Sequence, residues 1–148
     1  MFSFTIENQT DYISQMSEKE KIVFLRVLIH LAKTDGCFDE NEKAFVKDIA
    51  FNFGLPENKV DEVFQDVSEQ SLIEDASCIK NRKVALQLIK EACLLANSDG
   101  DLSEKEIVFI GKIGQTMGVE LEKIEQISQW VVDRIIWLEE GKIIFEQL

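Results

Sequence analysis

The sequence predicts an all-α protein, a compact helical bundle of two pseudo-symmetric helix-loop-helix repeats plus a long C-terminal helix. Its 148 residues include one proline and seven glycines, so long stretches lack the residues that interrupt helices. Apolar residues recur at the spacing of one helix face. An offset of 64 residues (99 minus 35) also aligns the chain with itself. One domain over residues 1–148 is expected, because chains of this length form a single core.

The internal repeat aligns residues 28–67 with residues 92–131 without a gap. The identical pairs come from core, turn and acidic positions, and they include Ala32/Ala96, Asp35/Asp99, Gly36/Gly100, Glu42/Glu106, Phe45/Phe109, Gly54/Gly118 and Val67/Val131. We therefore place the two copies at about residues 18–67 and 82–138.

The first helix of each copy ends at an Asp-Gly turn. Ser17 and Glu20 form a capping-box pattern, which predicts a helix over about residues 18–34. The matching face in the second copy predicts a helix over about residues 82–98. The turns at Asp35-Gly36 and Asp99-Gly100 follow.

The second helix of each copy begins with a capping residue and ends at a glycine. Asp39 and Ser103 occupy equivalent positions, where each side chain can accept hydrogen bonds from free backbone amides. Gly54 and Gly118 are predicted as C-terminal stops. Residues at i, i+4 and i+8 predict the buried face, which is Phe45, Ile49 and Phe53 in one copy and Phe109, Ile113 and Met117 in the other.

A third helix follows in each copy, over about residues 57–67 and 121–138, and residues 68–80 form a connector that has room for a short helix. An apolar stripe predicts that the last helix packs against both repeats through Ile124, Ile127, Val131, Ile135 and Leu138.

Two tryptophans, Trp130 and Trp137, lie seven residues apart on the last helix. We expect them in the core, and an exposed ring would instead mark a partner or dimer surface. The apolar segment after Gly141 is expected to fold back or to pair with another chain.

Net charge and cysteine content argue against several classes of function. The chain has 28 acidic and 16 basic residues, a formal charge of -12, which opposes binding to nucleic acid or to an anionic membrane surface. No apolar run approaches the roughly 18 residues of a membrane span. Cys37, Cys78 and Cys93 are odd in number and lack Cys-x-x-Cys spacing, so neither a disulfide framework nor a zinc knuckle is indicated. We expect a cytoplasmic protein.

We call the segments that begin at Asp35-Gly36 and Asp99-Gly100 the acidic loops. They are the candidate functional site, because hard cations such as calcium, magnesium or manganese bind clustered oxygens. The candidate metal ligands are Asp35, Asp39 and Glu42 in the first copy and Asp99, Asp101, Ser103 and Glu106 in the second.

A complete calcium hand is excluded, since Leu95 and Asn97 occupy its first and third ligand positions in the second copy. The alternative interpretation is structural: the aspartates cap or fix the turns, and the glutamates complement the helix dipole.

An enzyme is not expected. His30 is the only histidine, which excludes a binuclear site with two Glu-x-x-His motifs, and we interpret it as a core-edge or surface residue. Cys93 is interpreted as a core residue. Gly111 and Gly114 lie inside a predicted helix, which favours close helix packing over a phosphate-binding loop.

The segments LIHLAKTDGCFDENE and CLLANSDGDLSEKE carry a family resemblance. Each has an alanine before an Asp-Gly pair and a glutamate six residues after the glycine: Ala32, Asp35, Gly36 and Glu42, then Ala96, Asp99, Gly100 and Glu106. This pattern resembles the TerB-like family of tellurite-resistance proteins and the related N-terminal module of a membrane-anchored DnaJ-like co-chaperone.

The resemblance implies a pseudo-twofold helical bundle, an acidic surface that meets a metal cation or a partner, and a bacterial stress-response role without known catalysis. Cys37 replaces the acid found at Asp101, and Lys33 stands near the first loop, so the second copy is expected to hold cations better.

We therefore predict a non-catalytic, cytoplasmic TerB-like stress-response module that binds a cation, a protein partner or both through the acidic loops. The alternative is a structural adaptor that forms a homodimer through the Trp130/Trp137 helix, with the acids acting only as caps.

Overall fold

The computed structural model describes residues 12–34, 38–97 and 103–147. Within these ranges the chain forms seven α-helices, two short 3-10 turns and no strand. The helices are α1 (Glu18–Thr34), α2 (Glu40–Asn52), α3 (Glu57–Val63), α4 (Glu69–Asp75), α5 (Arg82–Ala96), α6 (Glu104–Thr116) and α7 (Leu121–Glu146). The all-α prediction with a repeated helix-loop-helix unit is confirmed.

Helices α1 and α5, the first helices of the two copies, pack against each other at the centre. Helix α1 also contacts α2, α3 and α4, and α5 contacts α6 and α7. Their facing side chains are almost completely buried, including Leu25, Leu31, Val84 and Leu88. The core therefore lies where the two copies pack against each other.

Side chains cap the starts of the two central helices, at Ser17 as the sequence predicts and at Asn81, which was not predicted as a cap. Ser17 and Glu20 exchange two hydrogen bonds of 3.2 Å at the start of α1. Asn81 Oδ1 accepts the Lys83 N–H at 2.9 Å at the start of α5. These bonds satisfy amides that have no partner within the helix.

Both second helices end in the same glycine motif, as predicted. Gly54 has φ 77° and Gly118 has φ 83°, a backbone region that favours glycine. Each glycine N–H donates to the carbonyl three residues back, and the next N–H donates to the carbonyl five residues back. The residues after the glycines, Leu55 and Val119, are buried. This is the Schellman arrangement with its apolar contact.

The third helices differ in length from each other and from the prediction. Helix α3 ends at Val63, where the Arg26 guanidinium donates two hydrogen bonds of 3.1 and 2.7 Å to the Glu62 carbonyl. Helix α7 runs to Glu146 without a break. Gly141 does not end it, so the segment after Gly141 does not fold back, and pairing with another chain stays a prediction.

Several burial predictions are also wrong. Phe45 is 66% exposed although its equivalent Phe109 is 3% exposed. Trp130 and Trp137 are 51% and 59% exposed, and Leu138 is 46% exposed. The predicted stripe on α7 is buried at Ile124 and Val131, but the helix continues past the bundle. The stripe predicted that this helix packs against both repeats, and its C-terminal half does not.

Candidate functional site

The candidate site is the start of α2 and of α6, where the acidic loops enter each helix. Four predicted ligands lie within the described residues: Asp39, Glu42, Ser103 and Glu106. The other three predicted ligands, Asp35, Asp99 and Asp101, lie outside them.

Asp39 caps α2. Its Oδ1 accepts a hydrogen bond of 2.8 Å from the Glu42 N–H, as the capping interpretation predicts. Asp39 is exposed and Glu42 is half-buried. Both carboxylates lie at the positive end of the α2 dipole, which stabilises negative charge there.

Ser103 and Glu106 form a full capping box at the start of α6. Ser103 Oγ accepts the Glu106 N–H at 3.2 Å, and Glu106 Oε1 accepts the Ser103 N–H at 3.1 Å. Glu106 is only 2% exposed, the one buried charged residue in the described part of the chain. Its second oxygen, Oε2, has no hydrogen-bond partner there. This carboxylate therefore keeps an acceptor that capping does not use.

Glu106 lines a groove between α1 and α6, which we call the α1–α6 groove. It has a volume of about 730 Å³. His30 lies on one wall, with its ring centroid 4.5 Å from that of Phe109 and its Nε2 3.2 Å from Glu69 Oε1. Lys105 and Lys112 also line the groove, so both signs of charge are present.

A second groove, between α2 and α5, is its counterpart under exchange of the two copies. This α2–α5 groove has a volume of about 330 Å³. Glu42 and Phe45 line it where Glu106 and Phe109 line the first, and Leu94 takes the place of His30. Its lining is mainly apolar. The two sites are therefore equivalent in position and unlike in chemistry.

Comparison with known proteins bears on the family. Residues 3–65 match the family model described as tellurite resistance protein TerB, which covers most of the first copy. This part of the chain is similar to TerB.

The whole chain also superposes on a solved structure, a tellurite resistance protein from Nostoc punctiforme. The TM-score is 0.56 at 16% identity, over 100% of this chain and 98% of the other. That likeness establishes the fold, including the second copy that the family match does not reach. No curated protein matches the sequence.

Metal-ligating side chains are not grouped in the described part of the chain. No three of its histidine, cysteine or acidic side chains come together there in a way that could hold an ion. Glu106 is the predicted ligand with a buried, unused oxygen; of its predicted co-ligands in the second copy, Ser103 caps α6, and Asp99 and Asp101 lie outside these residues.

The cysteines that the structure describes include no activated thiol. Cys93 is 1% exposed, as its core interpretation predicts, and burial raises its pKa to about 11 despite a hydrogen bond with Ser128. Burial also raises the pKa of half-buried Cys78. Cys37 lies outside the described residues.

Sequence reasoning missed the contribution of α4 to the α1–α6 groove. Ser68 Oγ accepts the Ser71 N–H at 3.0 Å at the start of this helix, and Leu72 is completely buried. The signal in the sequence was a serine that can cap a helix, followed by a leucine. The segment is too short to show helical periodicity. Within the described residues, no helix is both long and apolar enough to cross a membrane.

Proposed function

We propose that this protein is a non-catalytic, tellurite-resistance-related module that binds a divalent cation where the acidic loop enters α6. The observation that carries the proposal is the Glu106 carboxylate, which is buried and has one oxygen without a partner among the described residues. Leaving such a charge uncompensated costs free energy, and a cation would remove that cost.

Sequence neighbours supply the remaining oxygens in this proposal. Asp99 and Asp101 precede the Ser103–Glu106 capping box by a few residues. A loop of this kind offers calcium or manganese several carboxylate oxygens, with Glu106 as the innermost ligand. A lysine or arginine side chain of a partner protein could donate to the same oxygen, so a basic protein partner is the other form of the proposal.

The first copy is the weaker site in this proposal. Glu42 is only half-buried, and Cys37 stands where the second copy has Asp101. Lys33 Nζ already lies 3.2 Å from Asp66 Oδ1 and 5.8 Å from the centroid of the Phe38 ring, which brings a positive charge close to the α2 entrance. A second cation would be repelled there.

Calorimetric titration with calcium, magnesium and manganese tests the proposal on four proteins. Wild type should give saturable heat, Glu106→Gln and Asp99→Asn should lose it, and the matched control Glu42→Gln should keep it. The side chain introduced by Glu106→Gln retains an oxygen that can accept the Ser103 N–H, so α6 should stay capped, and circular dichroism checks this. Absence of saturable heat in wild type would remove the cation from the proposal.

A second candidate is a structural adaptor that forms a homodimer through α7. The exposure of Trp130 and Trp137 favours it, because large aromatic side chains are enriched at protein interfaces. Light scattering distinguishes it, since a monomer at every concentration contradicts it.

The proposal also includes a reducing, cytoplasmic location, consistent with Cys78 and Cys93 being free thiols. Fractionation of cells that express the tagged chain would test this location.

A further inference from the structure

The two copies differ most in the segment that follows the third helix. The offset of 64 residues, extended past the repeat, pairs Leu72 with Ile136 and Ile79 with Ile143. In the first copy the chain leaves α3 at Val63, α4 then packs against α1 and α6, and Leu72 and Ile79 are 0% and 1% exposed.

In the second copy the equivalent segment continues as one helix instead of turning. Ile136 and Ile143, the counterparts of Leu72 and Ile79, are 48% and 57% exposed. Val132 stands where Ser68 caps α4 in the first copy, so the side chain at this position cannot start a new helix. The chain therefore carries its second apolar segment away from the bundle.

The surface that this segment would cover is also exposed. Helix α4 contacts α6, and the His30 ring packs on Phe109 of α6, which is 3% exposed. Phe45, at the equivalent place in the α2–α5 groove, is 66% exposed. In the first copy, the segment after the third helix packs on the second helix of the other copy. In the second copy, the equivalent surfaces, the α2–α5 groove and the end of α7, make no such contact within the described chain.

We propose that two copies of this chain exchange the C-terminal halves of α7, residues 133–146, each packed in the α2–α5 groove of the other. The occupant is a second copy because an unbroken helix holds the segment away from its own groove. Exchange of an equivalent element between protomers is a common route to a closed, twofold dimer. The proposal deepens the adaptor candidate, on which it rests, and is independent of the cation site.

The available apolar surface is adequate for such a dimer. Six large apolar side chains of this segment are between 46% and 85% exposed: Ile136, Trp137, Leu138, Ile143, Ile144 and Phe145. They lie on several sides of the helix, and a helix that is apolar all round is normally buried. Stable interfaces bury roughly 1,200–2,000 Å² in total, and two reciprocal contacts of this kind supply an area of that order.

Size-exclusion chromatography with light scattering, from about 5 to 500 µM protein, tests the exchange. Wild type should be a dimer. Phe45→Glu in the groove and Ile136→Asp/Ile143→Asp on the helix should each be monomeric, with unchanged circular dichroism because these side chains are exposed. Phe51→Glu is the matched control: Phe51 is 79% exposed on the same helix but does not line the groove, so this variant should stay dimeric.

Three results would overturn the exchange. A wild-type monomer at every concentration removes both the exchange and the adaptor candidate. A dimer that survives Phe45→Glu but not Ile136→Asp/Ile143→Asp means that the helices pair with each other, so the adaptor stands and the exchange does not. A dimer that survives both changes places the interface elsewhere.

Mixing the two monomeric variants gives an independent test. The Ile136→Asp/Ile143→Asp chain keeps its groove and the Phe45→Glu chain keeps its helix, so one exchange contact can form between them. Energy transfer between labelled chains should rise on mixing and should be absent for either variant alone. A rise that is equal for a Phe45→Glu pair would contradict the proposal.

Discussion

A Cβ atom added to Gly114 would lie 2.5 Å from Cδ1 of Ile124, closer than carbon atoms approach. Gly114 is buried on α6, and Ile124 is buried on α7. The same Cβ would lie 3.3 Å from Cδ1 of Ile89 on α5. A glycine at this position thus lets three helices of the second copy approach closely.

Gly114→Ala should therefore lower the free energy of unfolding by about 1–3 kcal/mol, because the added methyl group overpacks a filled core. Gly111→Ala is the matched control. No atom lies within 4 Å of the Cβ it would add, so it should raise stability by roughly 0.5–1 kcal/mol through better helix propensity. Urea unfolding of both variants checks this, and equal shifts would contradict the packing argument.

The sequence predicted that this Gly-x-x-Gly pair lies in a helix and favours close packing. It could not show that only Gly114 needs the space, because that depends on where Ile124 of another helix lies. The burial predictions failed for the same reason, because burial depends on residues that are distant in the sequence. Helix starts at Ser17, Asp39 and Ser103 and stops at Gly54 and Gly118 depend on neighbouring residues, and these were predicted correctly.

Phe45 and Phe109 show the limit most clearly, since they occupy equivalent positions in a gapless repeat. Phe109→Ala should cost about 3–5 kcal/mol, as truncation of a buried phenylalanine does. Phe45→Ala should change stability by less than about 0.5 kcal/mol when it is made in the Ile136→Asp/Ile143→Asp chain, which is expected to be monomeric. Thermal or urea unfolding of the pair tests this, and a similar cost for both would mean that the groove is covered within one chain.

The candidate site was predictable in part. Spacing alone placed Asp39 and Ser103 as caps and Glu42 and Glu106 in the first turns. The contrast between a half-buried Glu42 and a buried Glu106 was not predictable, because it depends on how each groove is built from the other copy. Trp130 and Trp137 were assigned to the core by their spacing, but the helix that carries them extends beyond the bundle.

Capping by Asp39 can be separated from any role of its charge. Asp39→Ala should lower the free energy of unfolding by about 1 kcal/mol, since the Glu42 N–H loses its acceptor. Asp39→Asn keeps an oxygen at the same place and should recover most of that loss. Denaturant unfolding at neutral pH and moderate salt is the measurement. An Asp39→Asn protein as unstable as Asp39→Ala would show that charge, rather than the cap, stabilises α2.

Stability should fall in alkaline solution because of the buried Cys93 thiol. Burial raises its pKa from the ordinary value of 9.0 to about 11, so the folded protein holds this proton at pH values where the unfolded chain releases it. The stabilisation is fully present below pH 9 and is lost as the pH rises toward 11. Burial, and then the charge of Glu91, raise the pKa of Tyr12 from 10.0 to about 12, which adds a similar loss at higher pH.

The contribution of Cys93 appears as the difference between wild type and Cys93→Ala. Wild type should lose on the order of 2 kcal/mol more than the variant between pH 8 and pH 11, since each pKa unit corresponds to about 1.4 kcal/mol. The variant shares every other titrating group, so lysine and tyrosine effects cancel in the comparison. Urea unfolding at pH 8, 9.5 and 11 supplies the three points. Parallel pH profiles for the two proteins would mean that the Cys93 thiol ionises as readily in the folded chain as in the unfolded one.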